Sequence, residues 1–189
     1  MNYQTANFTT IITTANEIAT RAKSTFSRLT PSQLNWKPSA ERWSVAQCFE
    51  HLMTTNKGYL PEIEKVLAGH KATFWQRMPI LPGALGKLLI KSLDPASTRK
   101  LKAPKGFQPA QSNISASIID DFVAQQAQIV ERMKATENLD LEKIVITSPV
   151  AAVVTYSLMD AYRIIVVHEE RHFQQAGRVM AESAFPASS

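Results

Sequence analysis

Cysteine is nearly absent from this 189-residue chain. The single Cys48 excludes an internal disulfide framework, and a reducing cytoplasm is the expected compartment. Long apolar runs are missing too: no stretch approaches the roughly 18 residues a membrane-spanning helix needs. The opening residues, Met1-Asn2-Tyr3-Gln4-Thr5, have neither the basic region nor the apolar core of a signal peptide. Glycine is scarce, with six residues, and none builds a phosphate-cradling loop. There is no internal repeat and no heptad array.

Acidic residues are outnumbered, 16 against 21 basic ones, for a formal charge of +5. Part of the excess is local. Lys87, Lys91, Arg99, Lys100, Lys102 and Lys105 share one segment with Asp94 alone. Such a segment can meet an anionic partner, yet no zinc finger, recognition-helix pair or aromatic-and-basic platform accompanies it. The expectation is a solvated basic face and no specific nucleic-acid partner. Hydrophobic residues make up 44% and charged residues 20%, the balance of a globular protein rather than a disordered one. The length suits one domain over 1–189, burying about 70% of the surface its unfolded chain exposes.

Four amphipathic helices follow from periodicity. Phe8, Ile11, Ile12, Ala15, Ile18, Ala19, Ala22, Phe26 and Leu29 trace a helical stripe over about 6–29, which Thr30-Pro31 closes. The connector 30–43 holds two prolines and two tryptophans, and Trp36 and Trp43 are expected to pin it to the helices. Ser44 and Gln47 make a capping box for a helix over about 44–69, ending near Gly69. Residues 71–113 break the pattern: Pro79, Pro82, Pro95, Pro104 and Pro109 are half of the chain's ten prolines. This excursion is expected to form a lid or pocket wall, with a short amphipathic helix near Ala84–Ile90. A third helix is predicted over about 115–136. The crossing 138–154 is expected to be a covered loop or short strand. A last helix, capped by Ser157 with Asp160, runs to about 183.

That last helix carries the chemistry. His168 and His172 lie four residues apart, inside the stripe of Ala161, Ile164, Ile165, Ala176 and Val179, so both rings leave one face. Buried imidazoles require hydrogen-bond partners or a metal. His51 borders the inward face of the second helix, and three histidines on two adjacent helices can share one centre. His70 falls outside that register and is expected at the surface. The run His168-Glu169-Glu170-Arg171-His172 also fits the H-E-x-x-H pattern of zinc peptidases, with Glu169 as base. Only 17 residues follow His172, without a further His or Asp, which leaves that motif short of its usual third ligand. Cys48, one turn from His51, is expected to be a small buried hydrophobe.

Leu29-Thr30-Pro31-Ser32-Gln33-Leu34, Trp43-Ser44-Val45 and Glu50-His51-Leu52, followed by Ser157 and then His168-Glu169-x-Arg171-His172-x-x-Gln175, resemble the DinB-like (YfiT-like) superfamily. Lys102-Ala103-Pro104-Lys105-Gly106-Phe107-Gln108-Pro109 is similar to a segment of one branch. The resemblance implies an all-α four-helix bundle with up-down-down-up connectivity, usually a homodimer. It also implies one divalent metal, nickel or zinc with iron or manganese as further candidates, held by His51, His168 and His172. Relatives include metal-dependent hydrolases and thiol S-transferases that use low-molecular-weight thiols. The resulting expectation is a cytoplasmic, metal-dependent enzyme for a small molecule. The alternative is a non-catalytic, stress-related protein whose metal stabilises the fold.

Overall fold

The computed structural model describes residues 1–70, 82–97, 103–109 and 113–187. Along them run α1 (Phe8–Phe26), α2 (Pro31–Asn35), α3 (Val45–Leu67), α4 (Pro82–Ser92), a 3₁₀ turn (Lys105–Phe107), α5 (Ile118–Ala135), β1 (Val145–Ser148), β2 (Ala151–Ser157) and α6 (Leu158–Met180). The expected all-α four-helix bundle with up-down-down-up connectivity is therefore corrected. Six helices and a two-stranded antiparallel sheet are present among the described residues.

The physical reason lies in α6. Its stripe predicts one buried face, yet every residue from Leu158 to Glu170 is buried. Leu158, Met159, Tyr162, Val166 and Val167 carry the apolar surface around the other sides. A helix that is apolar all round needs neighbours all round. It finds them in α1 and α3, and also in α4 and both strands. The strands pair Val145 with Ser157, Ile146 with Tyr156 and Thr147 with Thr155, then slip so that Ser148 faces Ala151. Residues 145–157 thus form a hairpin rather than a loop or a lone strand.

Local signals set the helix ends. Asn7 Oδ1 accepts from Thr10 N at 2.9 Å and starts α1. The Ser44–Gln47 capping box is complete in both directions, at 3.1 and 3.2 Å. At the far end of α3, Gly69 adopts φ 77°. There Gly69 N donates to Val66 O and His70 N to Lys65 O, the paired closure that a left-handed glycine permits. Ser157 Oγ accepts from Asp160 N. The Asp160 carboxylate instead takes Arg163 Nη1 at 2.8 Å, while the same guanidinium reaches Ala6 O and Glu142. Arg163 so ties the N-terminal segment, α6 and the crossing before β1 to one buried cation.

Packing of the four long helices is centred on aromatic rings, one from each. Phe173 of α6 meets Phe26 of α1 at 5.3 Å, Phe26 meets Phe49 of α3 at 5.2 Å, and Phe49 meets Phe122 of α5 at 5.0 Å, all edge-to-face. The hairpin turn packs directly on α3. A Cβ at Gly58 would lie 2.8 Å from Pro149 Cβ, closer than carbon atoms tolerate. Gly58→Ala is accordingly expected to lower stability by about 1 kcal/mol, overpacking outweighing the helix-propensity gain. A urea midpoint at or above wild type would show that the turn yields without cost.

Candidate metal centre

α3 and α6 pack side by side, and this brings His51 to the pair His168 and His172. The ring centroids form a nearly equilateral triangle: 4.9 Å between His51 and His168, 4.6 Å from each of these to His172. One ligand nitrogen from each ring lies within 4.8 Å of the others. The three histidines are buried, at 4%, 7% and 8% residue exposure in chain order.

Tautomers follow from the partners. The carbonyl oxygen of Phe107 can only accept, so the 2.5 Å contact with His51 Nδ1 places a proton on that nitrogen. In the neutral ring Nε2 is then bare, and it faces His168 Nε2 at 3.1 Å. Two imidazoles on one tetrahedral metal at ordinary bond lengths have nitrogens about 3.3 Å apart. His172 Nδ1 is buried and without a hydrogen-bond partner among the described residues. Burial lowers the pKa of all three rings. His168 is pushed down to about 3, helped by the nearness of His51 and Arg171, and His172 goes well below its ordinary value through burial and the nearness of His168, His51 and Arg171, against a hydrogen bond with Gln175. Neutral rings, a lone pair directed inward and an orphaned buried nitrogen are the donor set a divalent ion requires.

A family model of the DinB superfamily matches residues 16–176. The chain belongs to the DinB superfamily. Comparison with the curated proteins and with the solved structures gives no match. No helix of this DinB-superfamily chain is long and apolar enough, among the described residues, to cross a membrane.

The structure also separates the ligand candidates from their neighbours. Glu169 points away from the trio into the core, fully buried, where Oε1 accepts from Asn56 Nδ2 at 2.7 Å and Oε2 from Gln126 Nε2 at 2.8 Å. Burial raises its carboxyl to about 8, against those two hydrogen bonds. The base of the H-E-x-x-H reading is thus occupied between α3 and α5. Glu170 pairs with Arg21 of α1 at 2.9 Å. Cys48 is buried, and its thiol is pushed up to about 12 by desolvation, which disfavours the thiolate; it does not join the group of converging ligand atoms among the described residues. Gln125 donates to Met53 O at 3.1 Å and serves the α3–α5 contact. His70 lies exposed beside Lys65 O, outside the centre.

Two groups escape sequence reasoning. Trp43, expected only to pin its loop, stacks on His172 at 5.6 Å and 21° and leans on His51 at 4.9 Å. Phe107 contributes a backbone carbonyl, for which no side-chain signal exists. That contact makes the described residues around Phe107 part of the centre's wall. The expected short helix is α4 at Pro82–Ser92. Arg99, Lys100 and Lys102 of the basic segment lie outside the described residues. Two shallow hollows, of about 440 Å³ along α1 and about 490 Å³ between α1 and α5, include none of the histidines. They are open surface without converging ligands, and the chemistry is better placed at the trio.

Proposed function

We propose that this DinB-superfamily chain is a metal-dependent enzyme acting on a small molecule, by hydrolysis or by thiol S-transfer. In this reading His51, His168 and His172 hold one divalent ion: nickel, zinc, iron or manganese. The observation that carries it is the convergence of three buried, neutral imidazoles, one with a nitrogen lacking any partner among the described residues. When bound, such an ion supplies Lewis acidity that lowers the pKa of a water or a thiol at its open position.

The chain's own residues prepare that position. The Phe107 carbonyl holds the His51 ring in the tautomer that presents Nε2. Trp43 covers two of the rings and limits water around them. Burial keeps the ligands deprotonated, so no proton need leave His168 at neutral pH before a cation enters. The family resemblance adds a homodimer in the cytoplasm to this reading, which sedimentation of the purified protein tests directly.

Elemental analysis of untagged protein tests the metal. About one equivalent in the wild type is expected, falling at least about tenfold in His168→Ala and His172→Ala with helicity retained, since loss of one of three ligands removes much of the affinity. A wild type that takes up no divalent ion after reconstitution overturns the reading. With metal established, hydrolysis of small esters and amides is assayed beside thiol transfer, and a loaded protein inert in both classes overturns the enzymatic part.

A further inference from the structure

α6 is buried on every side from Leu158 to Glu170, and burial alone does not choose which side of such a helix faces a given neighbour. The trio needs that choice made, because His168 and His172 meet His51 only at one rotation of α6 against α3. Polar contacts make it. Arg163 ties α6 to the N-terminal segment and to the crossing before β1, and Glu170 ties it to Arg21 of α1. Neither of these contacts involves α3, the helix that carries His51.

Glu169 does reach α3. Its Oε1 accepts from Asn56 Nδ2 at 2.7 Å and its Oε2 from Gln126 Nε2 of α5 at 2.8 Å. The same Gln126 nitrogen lies 3.4 Å from Ala15 O of α1, so all four long helices meet in hydrogen bonds around one carboxyl group. Glu169, Asn56 and Gln126 are at most 1% exposed. Glu169 and His168 leave α6 about 100° apart, and a rotation that opens the bond to Asn56 carries His168 and His172 away from His51. Apolar neighbours tolerate small shifts of this kind, whereas a buried carboxyl parted from its donor is strongly disfavoured. A single buried polar residue fixes helix register in coiled coils in the same way.

We propose that Glu169 is a positioning residue of the centre, its hydrogen bond to Asn56 setting the rotation of α6 against α3 that brings the three histidines together. This rests on reading the trio as a metal site and deepens it, since the rings are then arranged before a metal enters. The arm to Gln126 joins α6 to a helix without a ligand and serves stability alone. Asn56 Oδ1 and Gln126 Oε1 are buried without hydrogen-bond partners among the described residues. Glu169→Gln is therefore satisfiable: the new amide accepts from one neighbour and donates to the oxygen of the other once that neighbour turns over.

Asn56→Leu and Gln126→Met form a matched pair, each removing one donor to the same carboxyl at similar volume. Zinc affinity is read by chelator competition. The indole N–H resonance of Trp43 is read in metal-free protein, where it reports the ring arrangement because Trp43 stacks on His172 and leans on His51. Asn56→Leu is expected to weaken zinc about tenfold, the scale for groups that orient metal ligands, and to shift or broaden the Trp43 resonance. Gln126→Met should lower the urea midpoint yet keep both readouts near wild type, and Glu169→Gln should keep both as well. Where a single variant does not fold, Asn56→Leu combined with Glu169→Leu and Gln126→Met fills the cluster with apolar groups and is expected to show the losses of Asn56→Leu. Equal effects of the matched pair on both readouts overturn the positioning role and leave the metal reading standing. So does a folded Asn56→Leu or triple variant with wild-type zinc affinity and Trp43 resonance. A wild type that takes up no zinc overturns the metal reading, and the Trp43 resonance then decides the positioning role by itself.

Discussion

Chelator-treated protein should be most stable near pH 6.5 and lose stability on both sides of it. The acid side belongs to the histidines. His168 is held neutral by burial down to about pH 3, whereas in the unfolded chain it titrates near 6.5. A base with a lowered folded pKa favours the unfolded state as acid is added. Its contribution is whole above pH 6.5 and is lost as pH falls toward 3. Between pH 6.5 and 4 that amounts to about 3 kcal/mol from His168 alone. His51 and His172 shift in the same direction, and the trio titrates as one coupled group.

Glu169 governs the alkaline side. Its carboxyl is raised to about 8 in the fold against 4.5 in the unfolded chain, so the folded state binds the extra proton between those values. Its contribution is whole below pH 4.5 and declines as pH rises through 8. From pH 6.5 to 8 the loss is about 1.5 kcal/mol. Between 4.5 and 6.5 Glu169 and His168 nearly cancel, and the other two histidines tip the balance toward loss in acid. Urea midpoints across pH 4–9 read the whole curve. Glu169→Gln should flatten the alkaline limb and steepen the loss between pH 6.5 and 4.5, where its proton no longer offsets that of His168. Stability that rises from pH 6.5 to 8 in metal-free protein would refute the assignment of Glu169.

Phe49→Ala should cost about 3–5 kcal/mol, the range for deleting a fully buried phenyl ring. The ring is 1% exposed and makes edge-to-face contacts to both Phe26 and Phe122. Its removal opens a void between α1, α3 and α5 and cuts the ladder of rings at its middle. Phe173→Ala, at the partly buried end where Arg21 lies 4.2 Å over the ring, should cost less. A double-mutant cycle on Phe26 and Phe49 should return about 0.5–1.5 kcal/mol of coupling. A Phe49→Ala loss below about 1 kcal/mol would mean that neighbouring chains collapse into the space.

The ends of the long helices were legible because their signals are local. Ser44 with Gln47, Gly69 and Ser157 each act within a few residues of themselves, and each caps in the structure as its residue type suggests. The same locality explains α2. Thr30-Pro31 stops the first helix, yet proline at the first helical position, with a Thr30–Gln33 capping box, also starts the next. The hairpin was half legible. Ile144, Val145 and Ile146 suggest a strand, but the pairing slip at Ser148 hides the period of its partner. Burial of α6 on every side was written in Leu158, Met159, Val166 and Val167, residues that a search for a single stripe passes over. At the centre, the convergence of His51, His168 and His172 could be expected from spacing on two helices. Trp43 could not, because its contact depends on how the connector turns onto α3.

The contact between His51 and Phe107 crosses 56 residues of chain and uses only main-chain atoms on the far side. Substituting residue 107 leaves that carbonyl in place, so an alanine scan would pass over a group on which the ring's orientation depends. Shortening the chain before it would not be silent, since the carbonyl must still arrive at the same point. The segment is therefore free in its spelling but constrained in its measure, and length variants rather than point variants would reveal its part in the centre.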